Sequence, residues 1–238
     1  MSAPPLADRV AVVTGAARGI GRAAALALAA AGARIVAIAR TVGALEELDD
    51  AIRAAGGAPA TLVPLDLAAL DRIDPLGPQL LQRFGRADIL VGNAGMLGTL
   101  GPLSHHDPAL WEEVFRVNVH ANWRLMRTLE PLLRRSDAGR AVFITSGAAT
   151  RAQAYWAAYA ASKAALDQMV RVWAAELASS AARVNLLSPG PTRTAMRARA
   201  FPGENPETLK LPERVAHLVV ELASPSCLRQ GETVSVSD

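Results

Sequence analysis

Short runs of aliphatic and β-branched residues alternate along the chain with longer stretches whose apolar positions recur at helical spacing. "RVAVVT" (9–14), "ARIVAIA" (33–39), "PATLVPLD" (59–66), "ADILVGNAG" (87–95), "GRAVFITS" (139–146), "ARVNLLS" (182–188) and the short "GETVSV" (231–236) predict seven strands. Between them, helices are predicted over 21–32, 42–56, about 70–84, 111–133, 154–178 and about 212–223, while a polar, proline-containing stretch at 189–210 interrupts the rhythm. Several strands are apolar at consecutive positions, the pattern of strands covered on both faces. Strict alternation of strand and helix predicts an α/β fold: one doubly wound parallel sheet with right-handed crossovers and helices on both faces. With no internal repeat, low-complexity linker or composition break, a single domain over 1–238 is expected.

Composition narrows the function classes. At 238 residues, half of them apolar and a fifth charged, the chain can bury a full core, and with 4% aromatics that core must be mostly aliphatic. The net charge is +3 with no basic run beyond "RR" (134–135) and "TRTAMRARA" (192–200), which argues against nucleic-acid and membrane-surface partners. One cysteine, Cys227, makes no intramolecular disulfide and, without a histidine cluster, no metal site; His105 and His106 read as surface residues. Neither a signal-peptide core nor an apolar run of membrane-spanning length occurs, so a cytoplasmic location is expected.

"TGAARGIG" (14–21) falls between the first strand and its helix, where a dinucleotide pyrophosphate docks on a helix N-terminus. Gly15, Gly19 and Gly21, with Ile20 between the last two, would give a tight turn, close backbone approach to phosphate, and helix packing on the sheet. A glycine-rich turn without a ligand is the plainer alternative. The second strand ends in Ala39–Arg40 with no acid before Glu46. A carboxylate there would serve the ribose hydroxyl of NAD, whereas Arg40 and Arg18 suit a 2′-phosphate, so NADP(H) is favoured over NAD(H).

"AYWAAYAASK" (154–163) contains both tyrosines of the chain and one of its two lysines, although the other twenty-three basic residues are arginine. On a helix, 155, 159 and 163 lie near one line, with Leu166, Val170, Trp173 and Leu177 on the same side. Lys163 thus ends an apolar stripe, where an unpartnered ammonium is costly. A lysine can snorkel from such a place, but so can an arginine. A compact ammonium one turn from Tyr159 would lower the phenol's pKa toward the working range of an acid–base catalyst.

"TGAARGIG", "NAG" (93–95), "YAASK" (159–163) and "NLLSPGPTRT" (185–194) together resemble the short-chain dehydrogenase/reductase family, in order and over nearly the whole chain. The resemblance implies a Rossmann-type fold and an NADP(H)-dependent oxidoreductase acting on a carbonyl or secondary alcohol. It implies Tyr159 as general acid/base and Lys163 as the group that tunes it and binds the nicotinamide ribose. Ser146 would hydrogen-bond the substrate carbonyl, and Asn118 would extend a proton relay to Lys163. An alternative for Asn118 is a polar residue ordering a helix kink. Thr145 carries the same hydroxyl as Ser146, but period-two alternation turns it to the other face.

For the cofactor, the resemblance implies adenine contacts from Asp66 with Leu67, and backbone approach at Asn93, Ala94 and Gly95. It places Pro189 and Gly190 near the nicotinamide, with Thr192 and Thr194 on its carboxamide. Tyr155 has no lysine four residues on and is expected to line the substrate pocket or stack beside Trp156. Arg151 and Arg193 are candidate anchors for an anionic substrate group. A small-molecule substrate and a homodimer or homotetramer are implied; the glycine-rich tail that many relatives carry after the last strand does not follow "GETVSV". Two rival readings are a non-catalytic NADP-binding regulator and an isomerase or dehydratase on the same fold.

Overall fold

The computed structural model describes residues 4–236. Seven strands form one parallel sheet: β1 (Val10–Thr14), β2 (Arg34–Ala39), β3 (Thr61–Pro64), β4 (Ile89–Gly92), β5 (Arg140–Ile144), β6 (Arg183–Ser188) and β7 (Thr233–Ser235), in the order β3-β2-β1-β4-β5-β6-β7. Every predicted strand is present, each shortened at its ends. The central strands β1, β4 and β5 are buried throughout, whereas the edge strands β3 and β7 are partly exposed.

Eight α-helices cover the sheet: α1 (Gly19–Ala30), α2 (Val42–Ala54), α3 (Leu76–Phe84), α4 (Pro108–Phe115), α5 (Ala121–Arg135), α6 (Ala157–Glu176), α7 (Ala195–Ala200) and α8 (Pro212–Ala223). Alternate strand residues feed two cores. Val10, Val12, Leu90 and Phe143 pack with Leu125, Leu129, Leu166 and Trp173 on one face. Ala11, Val13, Ile89 and Val142 pack with Leu28, Leu45 and Val219 on the other. The central strands β1, β4 and β5 are therefore covered on both faces, which is why they read as continuous hydrophobic runs. Among the described residues no helix is long and apolar enough to cross a membrane.

Three segments depart from the sequence reading. The helix expected at 70–84 is a 3₁₀ turn at Leu70–Arg72 followed by α3, because Pro75 stands at the N-cap and Pro78 in the first turn. The helix expected at 111–133 spans α4 and α5 but passes through a π-helical turn, Arg116–His120. The irregular stretch at 189–210 contains the short helix α7, which Thr194 caps by accepting from the Arg197 amide at 3.1 Å.

Candidate active site

Strand order reverses between β1 and β4, so the crossovers leave on opposite faces and a crevice opens at their carboxyl ends. The glycine turn after β1 and the Asn93–Gly95 turn after β4 line it. Thr14, fully buried at the end of β1, joins them: its hydroxyl donates to the Val91 carbonyl (3.2 Å) and accepts from the Asn93 and Ala94 amides (3.0 and 3.1 Å). The Asn93 amide group donates to the Thr14 and Gly15 carbonyls at 2.9 and 3.3 Å. Gly15 has φ +64°, and a Cβ on Gly21 would lie 2.2 Å from the Gly15 carbonyl oxygen, so both need glycine.

α1 begins at Gly19 with Arg18 as N-cap, no side-chain cap and no acid in its first turn. Its leading amides therefore retain donors for an anion, and the field at this end of the helix favours one. Exposed Arg18 stands at this turn, and exposed Arg40 follows the end of β2 next to β1. Neither guanidinium meets a carboxylate among the described residues. Asp66, after β3, is exposed and accepts from the Ala68 amide at 3.0 Å, with Leu67 buried behind it. Half-buried Ile20 packs into the α1 face of the core. This donor set fits a dinucleotide with an added phosphate.

Across the crevice, α6 carries Tyr159 and Lys163 one turn apart, both buried. Ser146 follows β5; its hydroxyl accepts from the Ala148 amide at 3.2 Å and stands near enough to the Tyr159 phenol to favour its ionised form. The Lys163 ammonium donates to the Ile144 carbonyl at 2.8 Å and lies 5.9 Å from the centre of the Tyr159 ring. It would lie 3.5 Å from a Cβ on Gly95, and Asn118 Oδ1 3.4 Å from the same point, so the β4 turn sits against both.

Asn118, fully buried in the π turn, accepts from the Met96 amide at 2.7 Å and donates to the Met96 carbonyl and to Ser162 Oγ, both at 2.9 Å. Its own carbonyl accepts from Asn122 Nδ2 at 2.8 Å. The wider π turn at this residue is the local distortion that the kink reading of Asn118 anticipates.

The electrostatics differ in one respect from the sequence expectation. Burial pushes the Tyr159 phenol up, and the Ser146 hydrogen bond offsets part of the rise. Burial outweighs any depression by Lys163, whose ammonium donates to the Ile144 carbonyl and lies 5.9 Å from the centre of the phenol ring. Burial brings Lys163 itself down to about 8, while the Asp167 carboxylate pulls the other way.

The segment after β6 closes the far side. Pro189 and Gly190 lead to Thr192, whose buried hydroxyl donates to their carbonyls at 3.3 and 3.2 Å. Thr194 caps α7, and its methyl group would lie 3.4 Å from a Cβ on Gly19, so this segment leans on the glycine turn. Arg197 pairs with Glu204 (2.5 and 2.6 Å) and stacks over Phe201 at 3.7 Å. Phe201 meets Trp156 at 5.5 Å, and Trp156 meets Tyr159 edge-on at 5.9 Å, forming an aromatic wall beside the phenol.

Tyr155 is not on the helical line with Tyr159. α6 starts two residues later, Tyr155 has φ +74°, and the residue is 61% exposed. The Gly101 amide holds its carbonyl at 2.9 Å, which draws the chain away from the helix; the rings that meet Trp156 are Tyr159 and Phe201. Arg193 is committed to the Pro206 carbonyl at 2.8 Å, whereas Arg151 stays exposed over Gly147.

Three residues near the site escaped the sequence reading: Thr14, Ser162 and Asp167. Only Thr14 left a signal, a hydroxyl at the last position of an otherwise aliphatic strand. Thr145 donates to Asp167, on the same helix that carries Tyr159. Two surface clefts of about 460 and 470 Å³ lie elsewhere, one lined by Arg86 and Arg135 and the other by Glu221 and Cys227. Side-chain chemistry, not concavity, locates the site.

Known proteins are similar to this chain over nearly its whole length. The family model described as short chain dehydrogenase matches residues 9–205. The uncharacterized oxidoreductase YciK of Escherichia coli K12 is 39% identical over 227 residues, covering 94% of this chain and 90% of its own. A short chain dehydrogenase structure from Escherichia coli CFT073, complexed with NADPH, superposes with a TM-score of 0.95 at 38% identity over all of both chains. One from Shigella flexneri 2a, complexed with NADP, gives 0.94 at 37% identity over 99% of each. With its sheet order, glycine turn and Ser–Tyr–Lys cluster, the chain belongs to the short chain dehydrogenase family and is an oxidoreductase of that family.

Proposed function

We propose that this protein reduces a small carbonyl compound at the expense of NADPH, with Tyr159 as the proton donor. The observation that carries the reading is the meeting of Ser146, Tyr159 and Lys163, from two elements, at the mouth of the dinucleotide crevice. A reduced nicotinamide cofactor bound with its pyrophosphate at the start of α1 would supply hydride. Arg18 and Arg40 would hold the 2′-phosphate, and the related structures complexed with NADP and NADPH support that preference.

The protein's own groups handle the proton. A phenol held above its ordinary value of about 10 is protonated at neutral pH, so Tyr159 enters the reaction as an acid. Ser146 donates to the substrate's carbonyl oxygen and orients it toward the phenol. As the proton leaves, the tyrosinate is stabilised by the nearby ammonium. Lys163 spends one of its three N–H donors on Ile144 and keeps two for the ribose. The Trp156–Phe201 wall limits water and favours a carbonyl attached to an apolar group.

The test follows NADPH absorbance with a panel of ketones, aldehydes and 3-oxoacyl thioesters, using the unmodified protein and Tyr159→Phe. Turnover on the best substrate should fall by roughly 100- to 10,000-fold in the variant, with NADPH affinity little changed. Retained turnover would overturn the assignment of Tyr159.

A further inference from the structure

Asp167 lies on α6 one turn beyond Lys163, and nothing in the reaction above uses it. Its side chain is 4% exposed. One carboxylate oxygen accepts from the Thr145 hydroxyl, and the other lies 3.8 Å from the half-exposed Arg171 guanidinium. A buried carboxylate is costly without strong partners, and a neutral hydroxyl with one distant arginine is a modest set.

The surroundings of Lys163 give Asp167 a use. The groups facing the ammonium from other elements are the Ile144 carbonyl of β5, Gly95 after β4 and Asn118 of the π turn, none of them charged. On its own helix Tyr159 is neutral, which leaves Asp167 as the carboxylate acting on Lys163. Residues four apart on a helix face one another, so the carboxylate acts across one turn through a low-dielectric interior. Thr145 in turn is the backbone neighbour of Ser146, so the hydrogen bond to Asp167 also ties down the end of β5 where the reacting hydroxyl is carried.

We propose that Asp167 is a positioning residue of this site: through Thr145 it fixes the strand end that carries Ser146, and across one helical turn its carboxylate keeps Lys163 an ammonium. Without that charge, burial acts on the lysine unopposed, and the ammonium that supports the tyrosinate is lost within the working pH range. The purpose of the device rests on the reductase reading, but its test needs neither substrate nor cofactor, so the two can fail separately.

Because the chain has two lysines, Lys163 can be titrated directly. Lysine labelled with ¹³C at Cε gives two side-chain signals, and Lys210→Arg assigns them. Lys163 should titrate near 8 in the unmodified protein. Asp167→Asn keeps an acceptor for Thr145 and removes only the charge; it should lower the midpoint by roughly one unit. A decrease of less than about half a unit would overturn the proposal. The unmodified protein offers a second measurement should the amide variant fail to fold. The Asp167 carboxyl carbon must show an inflection at the Lys163 midpoint, and its absence would also overturn the proposal.

Discussion

Thr14→Val would unfasten the crevice while leaving its shape intact. The threonine hydroxyl makes all three bonds open to it, one donated and two accepted. Valine has nearly the same volume and none of these bonds. The Asn93 amide keeps a partner, since it also reaches the Val91 carbonyl at 3.1 Å, but the Ala94 amide loses its acceptor. Three lost bonds, one of them leaving an amide orphaned, correspond to roughly 2 kcal/mol of stability, or about 4–8 °C in Tm for a chain of this size. The Asn93–Gly95 turn lines the crevice, so part of the loss should reach binding and raise the NADPH Kd by roughly three- to tenfold. Thr14→Ser keeps the hydroxyl and should retain most of the stability. Urea unfolding of the three proteins, with NADPH titration by fluorescence, measures both effects. If valine and serine variants differ by less than about 0.5 kcal/mol, the hydroxyl is not what joins the two turns.

Three further outcomes are expected. Arg40→Asp replaces a phosphate partner with a repelling charge, and the NADPH/NADH ratio of kcat/KM should fall by roughly ten- to a hundredfold; an unchanged ratio would count against the 2′-phosphate assignment. Gly21→Ala places a methyl group 2.2 Å from the Gly15 carbonyl oxygen, so the glycine turn must shift; NADPH binding should weaken sharply and stability drop by roughly 1–3 kcal/mol, both visible in the same titrations. For Lys163, brought down to about 8 by burial, the unfolded chain holds more protons than the folded one between about pH 8 and 10.5. Stability from this group therefore rises with pH across that window, by roughly 3 kcal/mol in total. Above about 10 the raised Tyr159 phenol acts in the opposite sense. Lys163→Met should flatten the rise, and urea unfolding of the cofactor-free protein at several pH values would show an unaltered slope if the lysine were not responsible.

The positions of α8 and of all seven strands could be read from periodicity to within a few residues, and the central strands most plainly, because two covered faces leave a continuous apolar run in them. Helix ends were harder. Trp156 begins α6 without a side-chain cap, and the contact that turns Tyr155 out of line comes from Gly101, more than fifty residues away in the chain. The π turn at Asn118 is likewise a response to Met96 and Ser162, partners that no local pattern announces.

From sequence alone came the α/β alternation, the glycine turn and a tyrosine and lysine one helical turn apart, since each is a local spacing that the backbone converts directly into geometry. The tertiary structure decided where strand order reverses, that Thr14 and Asn93 bind two distant turns into one crevice, and that Asp167 stands behind Lys163. It also decided the direction in which the phenol's pKa moves. Burial and charge are sums over neighbours that the chain brings together only on folding, and for Tyr159 that sum favours the proton.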